Sequence, residues 1–121
     1  MPINERDLAL LLDMYNHGID ILNFTRGMNF YQFEKHKMCR AAVEKYFMVI
    51  GEAAKKISKT TQDFLPHFKW EEMVGMRNLL AHDYSSTKIG KIWAASQISI
   101  PEMLKELEKI EDLKDYINPK S

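Results

Sequence analysis

The segment that ends at position 84 holds the side chains of this chain best suited to chemistry. Arg77, His82 and Tyr84 follow one another as arginine, four residues, histidine, one residue, tyrosine, and Asn78 and Asp83 stand between them. This density of polar and ionisable groups, near the end of an otherwise apolar predicted helix, exceeds what a packing surface needs. We therefore treat this segment as the candidate site.

These residue types suit cleavage of RNA without a metal ion. An RNA strand carries its own nucleophile, the 2′-hydroxyl beside each phosphate. His82 can take the proton of that hydroxyl or protonate the leaving 5′-oxygen, and the guanidinium of Arg77 can stabilise the charge that builds on the phosphate. Asn78, one helical turn before His82, can hold the imidazole or contact the RNA. The structural alternative is that Arg77 and His82 only interact with the carbonyls and dipole of a helix end.

Helical geometry limits how these groups can cooperate. On a regular helix Arg77 and Tyr84 share a face, whereas Arg77 and His82 lie about 140° apart. One unbroken helix therefore cannot direct Arg77 and His82 at the same phosphate. Either the helix loosens near Ala81, or a two-fold related copy of the chain completes a shared cleft.

The charge of the whole chain gives no general attraction to nucleic acid, because 17 basic and 17 acidic residues cancel. Contact with an RNA backbone must come from a local patch, and the best candidates are Lys35, Lys37, Arg40, Lys55, Lys56 and Lys88. No metal site is predicted, since His17, His36 and His67 show no His-x-x-His or cysteine-pair spacing.

Length and composition indicate one cytoplasmic domain that spans residues 1–121. Cys39 is the only cysteine, so no intrachain disulfide can form, and we expect its side chain to be buried. The start of the chain has no leader-like pattern, and no apolar run reaches the roughly 18 residues of a membrane span, so no membrane association is expected.

Apolar residues recur at helical spacing and never alternate with period two, which predicts an all-α up-and-down bundle of four or five helices. The first helix begins at the cap Asn4 and ends near Gly27. The others are expected from about Met38 to Ser58, from near Trp70 and from about Ile89, and Pro101 should kink or restart the last of them. A short segment surrounds Phe30, Tyr31 and Phe33, and a break in structure is expected over Thr60, Thr61, Asp63 and Pro66.

The same spacing predicts the core. The first helix carries two apolar stripes, which are Leu8, Leu11, Leu12, Tyr15, Ile19 and Leu22, and beside them Leu10, Met14, Gly18 and Ile21. So broad an arc predicts two neighbouring helices, in the same bundle or in a second subunit. The later helices should bury Ala42, Tyr46, Val49, Ile50, Ala53 and Ile57, then Met73, Met76 and Leu80, and finally Met103, Leu104, Leu107, Ile110, Leu113 and Ile117.

Three stretches resemble one known family. Ala42 to Ser58 has an Ile-Gly-Glu-Ala-Ala core, Trp70 to Tyr84 contains Gly-Met-Arg-Asn and then Leu-Ala-His-Asp-Tyr, and Thr87 to Leu104 carries Trp93 and Pro101. Together they resemble the HepT-like toxins of the HEPN superfamily, which are helical ribonucleases. The basic segment from Lys35 to Arg40 departs from that pattern.

The resemblance implies a metal-independent endoribonuclease without a cofactor, acting on RNA as a homodimer. Arg77 and His82 would be catalytic, with Asn78 and Asp83 in support. It also implies a type VII-like toxin–antitoxin system, in which a minimal nucleotidyltransferase (MNT) antitoxin silences the toxin by transferring AMP to Tyr84. The alternative is a HEPN subunit that binds a nucleotidyltransferase or a nucleotide without cutting RNA, although such a scaffold needs none of the motif residues.

Overall fold

The structure is a computed structural model that describes residues 3–83, 85 and 87–117. All regular structure in these ranges is helical, which confirms the predicted class. The first five helices are α1 (Glu5–Thr25), α2 (Phe30–Lys35), α3 (Lys37–Lys56), α4 (Lys59–Phe64) and α5 (Trp70–His82). The long helices α1, α3 and α5 and the last long helical stretch form the bundle, and the short helices α2 and α4 connect them.

The last long stretch runs from Lys88 to Glu108 without a break. It consists of α6 (Lys88–Ala94), a π-helical turn (Ala95–Ser99) and α7 (Ile100–Glu108), after which come a 3₁₀ turn (Glu111–Leu113) and α8 (Lys114–Ile117). In the π turn the Ile100 N–H donates to the carbonyl of Ala95, five residues back. Pro101 has no N–H and its ring crowds the preceding turn, so this wider turn accommodates it. Pro101 was expected to kink or restart this helix, and the structure instead shows a local π-helical bulge in a continuous helical stretch.

The start of α1 is tied to the corner between α3 and α4. The Asn4 side chain caps α1 by accepting the Asp7 N–H at 2.8 Å. The buried Asp7 carboxylate accepts hydrogen bonds from Ser58 Oγ at 2.5 Å and Thr61 Oγ1 at 2.6 Å. Burial acts to raise the pKa of Asp7, but the hydrogen bonds from Ser58, Thr61 and Asn4 outweigh it, and the pKa lies below its usual value.

The broad apolar arc of α1 is explained within one chain. One side of the arc packs on α3 and the other on α7. Its buried residues are Leu11, Met14, Gly18 and Ile21, which are mostly from the second predicted stripe. Most of the first stripe, Leu8, Leu12, Tyr15, Ile19 and Leu22, is only half-buried. The width of the arc therefore does not itself require a second subunit.

The buried face of α3 is shifted by about one residue from the predicted face. Ile50, Ala53 and Ile57 are buried as expected, but Ala42, Tyr46 and Val49 are half-buried. The core face instead includes Cys39, Val43, Phe47, Gly51 and Ala54. Tyr46 stacks on His17 at a centroid distance of 5.4 Å, so its ring is used in the contact with α1 at the edge of the core.

The break expected at residues 60–66 is wrong, because α4 occupies most of it. Ser58 caps this helix by accepting the Thr61 N–H, and the Thr61 side chain is buried. The segment around Phe30 likewise folds as a helix, α2, which begins with a capping box formed by Asn29 and Gln32. Phe33 of α2 packs in the core against Trp93, with 5.2 Å between the ring centroids.

The remaining core predictions hold in most positions. Met73, Met103, Leu104, Leu107, Ile110 and Leu113 are buried, as is Cys39, while Met76, Leu80 and Ile117 are half-buried. Over the ranges that the structure describes, no helix is long and apolar enough to span a membrane.

Candidate functional site

Helix α5 carries the first part of the candidate site and runs unbroken to His82. The Asp83 N–H donates to the carbonyl of Leu79 at 2.8 Å, which closes the last turn in a regular way. The predicted alternative in which the helix loosens near Ala81 is therefore wrong. Arg77 and His82 remain about 140° apart around one helix. Of the two alternatives predicted from the sequence, the one that remains is a shared cleft completed by a second copy of the chain.

Arg77 is placed by the close contact between α5 and α3. Its Cβ lies against Gly51, and a methyl group added at Gly51 would overlap it. Gly51 therefore allows α5 to approach α3 at this position. The Arg77 side chain is 29% exposed, so its guanidinium is anchored on one side and accessible on the other.

Glu52 holds the guanidinium of Arg77. The Arg77 Nε donates to Glu52 Oε1 at 2.6 Å, and Arg77 Nη1 donates to Asn78 Oδ1 at 3.3 Å. These bonds fix the plane of the guanidinium and leave its other N–H groups for a ligand. Glu52 lies in one of the family-like stretches, but its role could not be predicted from the sequence, because its contact with Arg77 depends on packing between two helices.

Asn78 and His82 do not form the predicted pair among the described contacts. The Asn78 amide oxygen accepts from Arg77, so Asn78 supports the arginine and not the imidazole. The side chain of His82 is exposed on the last turn of α5. An imidazole in that position can exchange protons with a bound substrate or with solvent.

Asp83 organises the chain directly after α5. Its carboxylate accepts the Ser85 N–H at 2.7 Å and pairs with Lys91 Nζ at 3.2 Å. The hydrogen bonds from Ser85, and then the ion pair with Lys91, lower the pKa of Asp83 to about 2. Asp83 is therefore an ionised anchor near neutral pH. The predicted modification site, Tyr84, lies outside the described residues.

The six predicted RNA-contacting residues do not form one patch. Lys55 and Lys56 are exposed at the C-terminal end of α3, whereas Lys35, Lys37 and Arg40 lie around its N-terminal end, about 20–30 Å away along a helix of 20 residues. Lys88 lies between these groups, and its Nζ is 3.2 Å from the carboxylate of Glu44 on α3. Among the side chains that the structure describes, no three of metal-ligating type gather in one place.

The sequence of this chain matches one protein family. The family model for HepT-like ribonucleases matches residues 14–110. A protein of Methanocaldococcus jannaschii named "Putative RNase MJ0125" is 39% identical over 107 residues, which cover 88% of this chain and 92% of the relative. "Probable ribonuclease HepT" of Thermococcus cleftensis is 32% identical over 90 residues, covering 74% of this chain and 82% of the relative. No solved structure matches the chain. The chain belongs to the HepT-like ribonuclease family, which confirms the resemblance seen in the sequence.

Proposed function

We propose that the protein is a metal-independent endoribonuclease with Arg77 and His82 as its catalytic residues. The observation that carries this proposal is the arrangement around α5: Glu52 of α3 orients the partly exposed guanidinium of Arg77, and α5 ends in the exposed imidazole of His82. Membership of the HepT-like ribonuclease family supports RNA as the substrate.

The unbroken helix leads us to place the reacting phosphate between two chains. In this homodimer, Arg77 of one protomer pairs with the phosphate and the partner's His82 carries out proton transfer. The two-fold axis generates a second, equivalent pairing. Asn78 and Asp83 support this site by holding Arg77 and the segment after His82.

The proposed reaction uses the nucleophile of the RNA itself. His82 accepts the proton of the 2′-hydroxyl, the 2′-oxygen bonds to phosphorus, and the bond from phosphorus to the 5′-oxygen breaks. The 5′-oxygen then takes a proton from the imidazolium or from water. The products are a 2′,3′-cyclic phosphate and a 5′-hydroxyl, and Arg77 stabilises the charge on the phosphate during the step.

The test is cleavage of RNA by the purified protein in EDTA, with the ends of the products identified by mass spectrometry. We expect cyclic phosphate ends, no cleavage of DNA, and a loss of activity of about a hundredfold or more in His82→Ala, the usual scale for acid–base catalysis. Arg77→Lys should also lose activity, because an ammonium cannot replace the planar fork. His67→Ala, which removes another exposed histidine, is the control. Wild-type rates in the His82 and Arg77 variants would contradict the proposal.

We further propose that the protein is the toxin of a type VII-like toxin–antitoxin system, silenced by a minimal nucleotidyltransferase at Tyr84. The tyrosine oxygen would attack the α-phosphorus of ATP, lose its proton and release pyrophosphate, which leaves AMP on the ring. The support is the position of Tyr84 two residues after His82 and the family resemblance. A bound AMP would add negative charge and bulk where RNA must approach.

Mass spectrometry after incubation with the antitoxin and ATP tests this second proposal. AMP is expected on the peptide that contains Tyr84, and Tyr84→Phe should cleave RNA while resisting modification. An adduct on Ser85 or Ser86, or a Phe variant that is still modified and silenced, would show that Tyr84 is the wrong residue.

A further inference from the structure

Helix α2 presents aromatic rings to solvent. Tyr31 is 66% exposed and Phe30 is 39% exposed, although both belong to a helix of only six residues. Rings of this size usually bury their area in a core or an interface. Phe33 is the only buried residue of α2, so the packing of this helix on the core does not use the rings of Phe30 and Tyr31.

The backbone of α2, which carries these rings, is anchored at both its start and its buried face. The capping box satisfies its first turn, since Asn29 Oδ1 accepts the Gln32 N–H at 2.9 Å and Gln32 Oε1 accepts the Asn29 N–H at 2.9 Å. On the buried side Phe33 is fully buried against Trp93 of α6. The outer face of α2 is therefore a preformed surface, and binding to it costs little ordering of the backbone.

The chain segment that carries this surface is basic. Residues 26–40 contain four basic side chains and one acidic one, in a chain whose net charge is zero. Lys35 Nζ lies 5.5 Å from the centroid of the Tyr31 ring, and Lys37 is exposed at the start of α3. Aromatic rings flanked by basic side chains are the combination that binds single-stranded nucleic acid, because bases stack on the rings and phosphates pair with the cations.

Helix α6 links this surface to the candidate site, because it contacts both α2 and α5. Helix α6 begins at Lys88, four residues after the motif ends, and Trp93, which contacts α2, lies about 7.5 Å further along that helix. An RNA strand that follows α6 from the site would therefore reach α2.

We infer that the outer face of α2 is a stacking site for unpaired RNA bases, centred on Tyr31 and flanked by Lys35 and Lys37. This inference rests on the proposed ribonuclease function and specifies its substrate as RNA that is single-stranded on one side of the cleaved phosphate. Positive charge favours RNA over a protein partner as the occupant of this face.

Binding of an unstructured RNA of mixed sequence, measured by fluorescence anisotropy, tests the inference. The measurements use a His82→Ala background so that the RNA stays intact. Tyr31→Ala should raise Kd roughly tenfold, in line with the loss of one stacked base, whereas Tyr31→Phe should bind like the background protein. The matched control is Tyr116→Ala, which removes a tyrosine that is 63% exposed at the far end of the chain. On a chain of abasic ribose phosphates, Tyr31→Ala should cause no change.

The other outcomes of these measurements distinguish a failure of the stacking site from a failure of the ribonuclease proposal. Unchanged RNA binding by Tyr31→Ala would overturn the stacking site and leave the ribonuclease proposal standing. An equal loss on the abasic chain would also overturn it, because the contact would then be with the backbone. If sedimentation shows that Tyr31→Ala changes the oligomeric state, the face is a protein interface. If the background protein binds no RNA at all, the proposed function itself fails.

Discussion

At the scale of single residues, the ion pair between Arg77 and Glu52 acts through orientation more than through stability. Both side chains are partly exposed, at 29% and 41%, and such pairs contribute about 0–1 kcal/mol. Their 2.6 Å contact nevertheless fixes the direction of the guanidinium. A phosphate that meets an oriented fork gains two parallel hydrogen bonds without a further loss of side-chain freedom.

Glu52→Gln is therefore expected to slow RNA cleavage while leaving the melting temperature nearly unchanged. Glutamine keeps an acceptor for Arg77 but removes the charge, so kcat should fall by about tenfold, the scale of a lost charge-assisted hydrogen bond. Asp63→Asn, which breaks the exposed pair with Lys59, should change neither quantity. A wild-type kcat in Glu52→Gln, or a loss of stability that accounts for the loss of rate, would contradict the positioning role.

The sequence indicated Arg77, Asn78, His82 and Asp83 because their types are unusual at the end of an apolar helix. It could not indicate what each one touches. Asn78 stands one turn before His82 and yet bonds to Arg77, and Glu52 is 25 residues away from its partner. Both contacts depend on which rotamers survive when α3 and α5 pack together, and spacing along one helix does not determine that.

At the scale of the helices, the site depends on how closely α5 can approach α3. Gly51 and Arg77 face each other where the two helices meet, and the Met73 carbonyl would lie only 3.1 Å from a methyl group at Gly51. The Arg77 Cβ and the Met73 carbonyl are both fixed to the backbone of α5 and leave little room for adjustment there. Any added volume must separate the helices and move Arg77 with them.

Gly51→Ala should lower the free energy of unfolding by about 1–3 kcal/mol, the usual cost of overpacking. The matched variant is Gly75→Ala on α5, where an added methyl group meets nothing within 4 Å. That variant should gain about 0.5–1 kcal/mol, since alanine is the better helix former. Urea denaturation measures both. Equal effects at the two positions would show that the helices do not need the glycine.

Helix positions followed from apolar spacing, whereas the buried face of α3 did not. Alanine and tyrosine at positions 42 and 46 fit the helical period as well as Val43 and Phe47 do, so period alone could not choose between the two faces. The polar residues of α4 similarly indicated a loop. Its stability comes from the Ser58 cap and from burial of Thr61 beside Asp7, a contact between distant parts of the chain.

At the scale of the whole molecule, Asp7 links the first helix to the α3–α4 corner, and this link should depend on pH. The folded pKa of Asp7 lies below its ordinary value of 3.8, so its contribution is fully present above that value and is lost as the pH falls through the folded pKa. Asp7→Asn should cost about 1–3 kcal/mol at neutral pH, because the Ser58 and Thr61 hydroxyls lose a charged acceptor.

Thermal denaturation across the acid range measures this effect, with the exposed Asp13→Asn as the control. The difference in stability between the wild type and Asp7→Asn should shrink as the pH falls below about 4. A difference that stays constant down to strongly acidic pH would mean that the ionised carboxylate is not the stabilising form.

The central claim is that one active site takes Arg77 from one chain and His82 from its partner. The most direct measurement is RNA cleavage by a mixed dimer of Arg77→Ala and His82→Ala chains, carrying different tags and purified through both. Each variant alone lacks a complete site, but the mixed dimer rebuilds one of the two, so about half of the wild-type rate is predicted. A mixed dimer no more active than either variant alone would contradict the shared site.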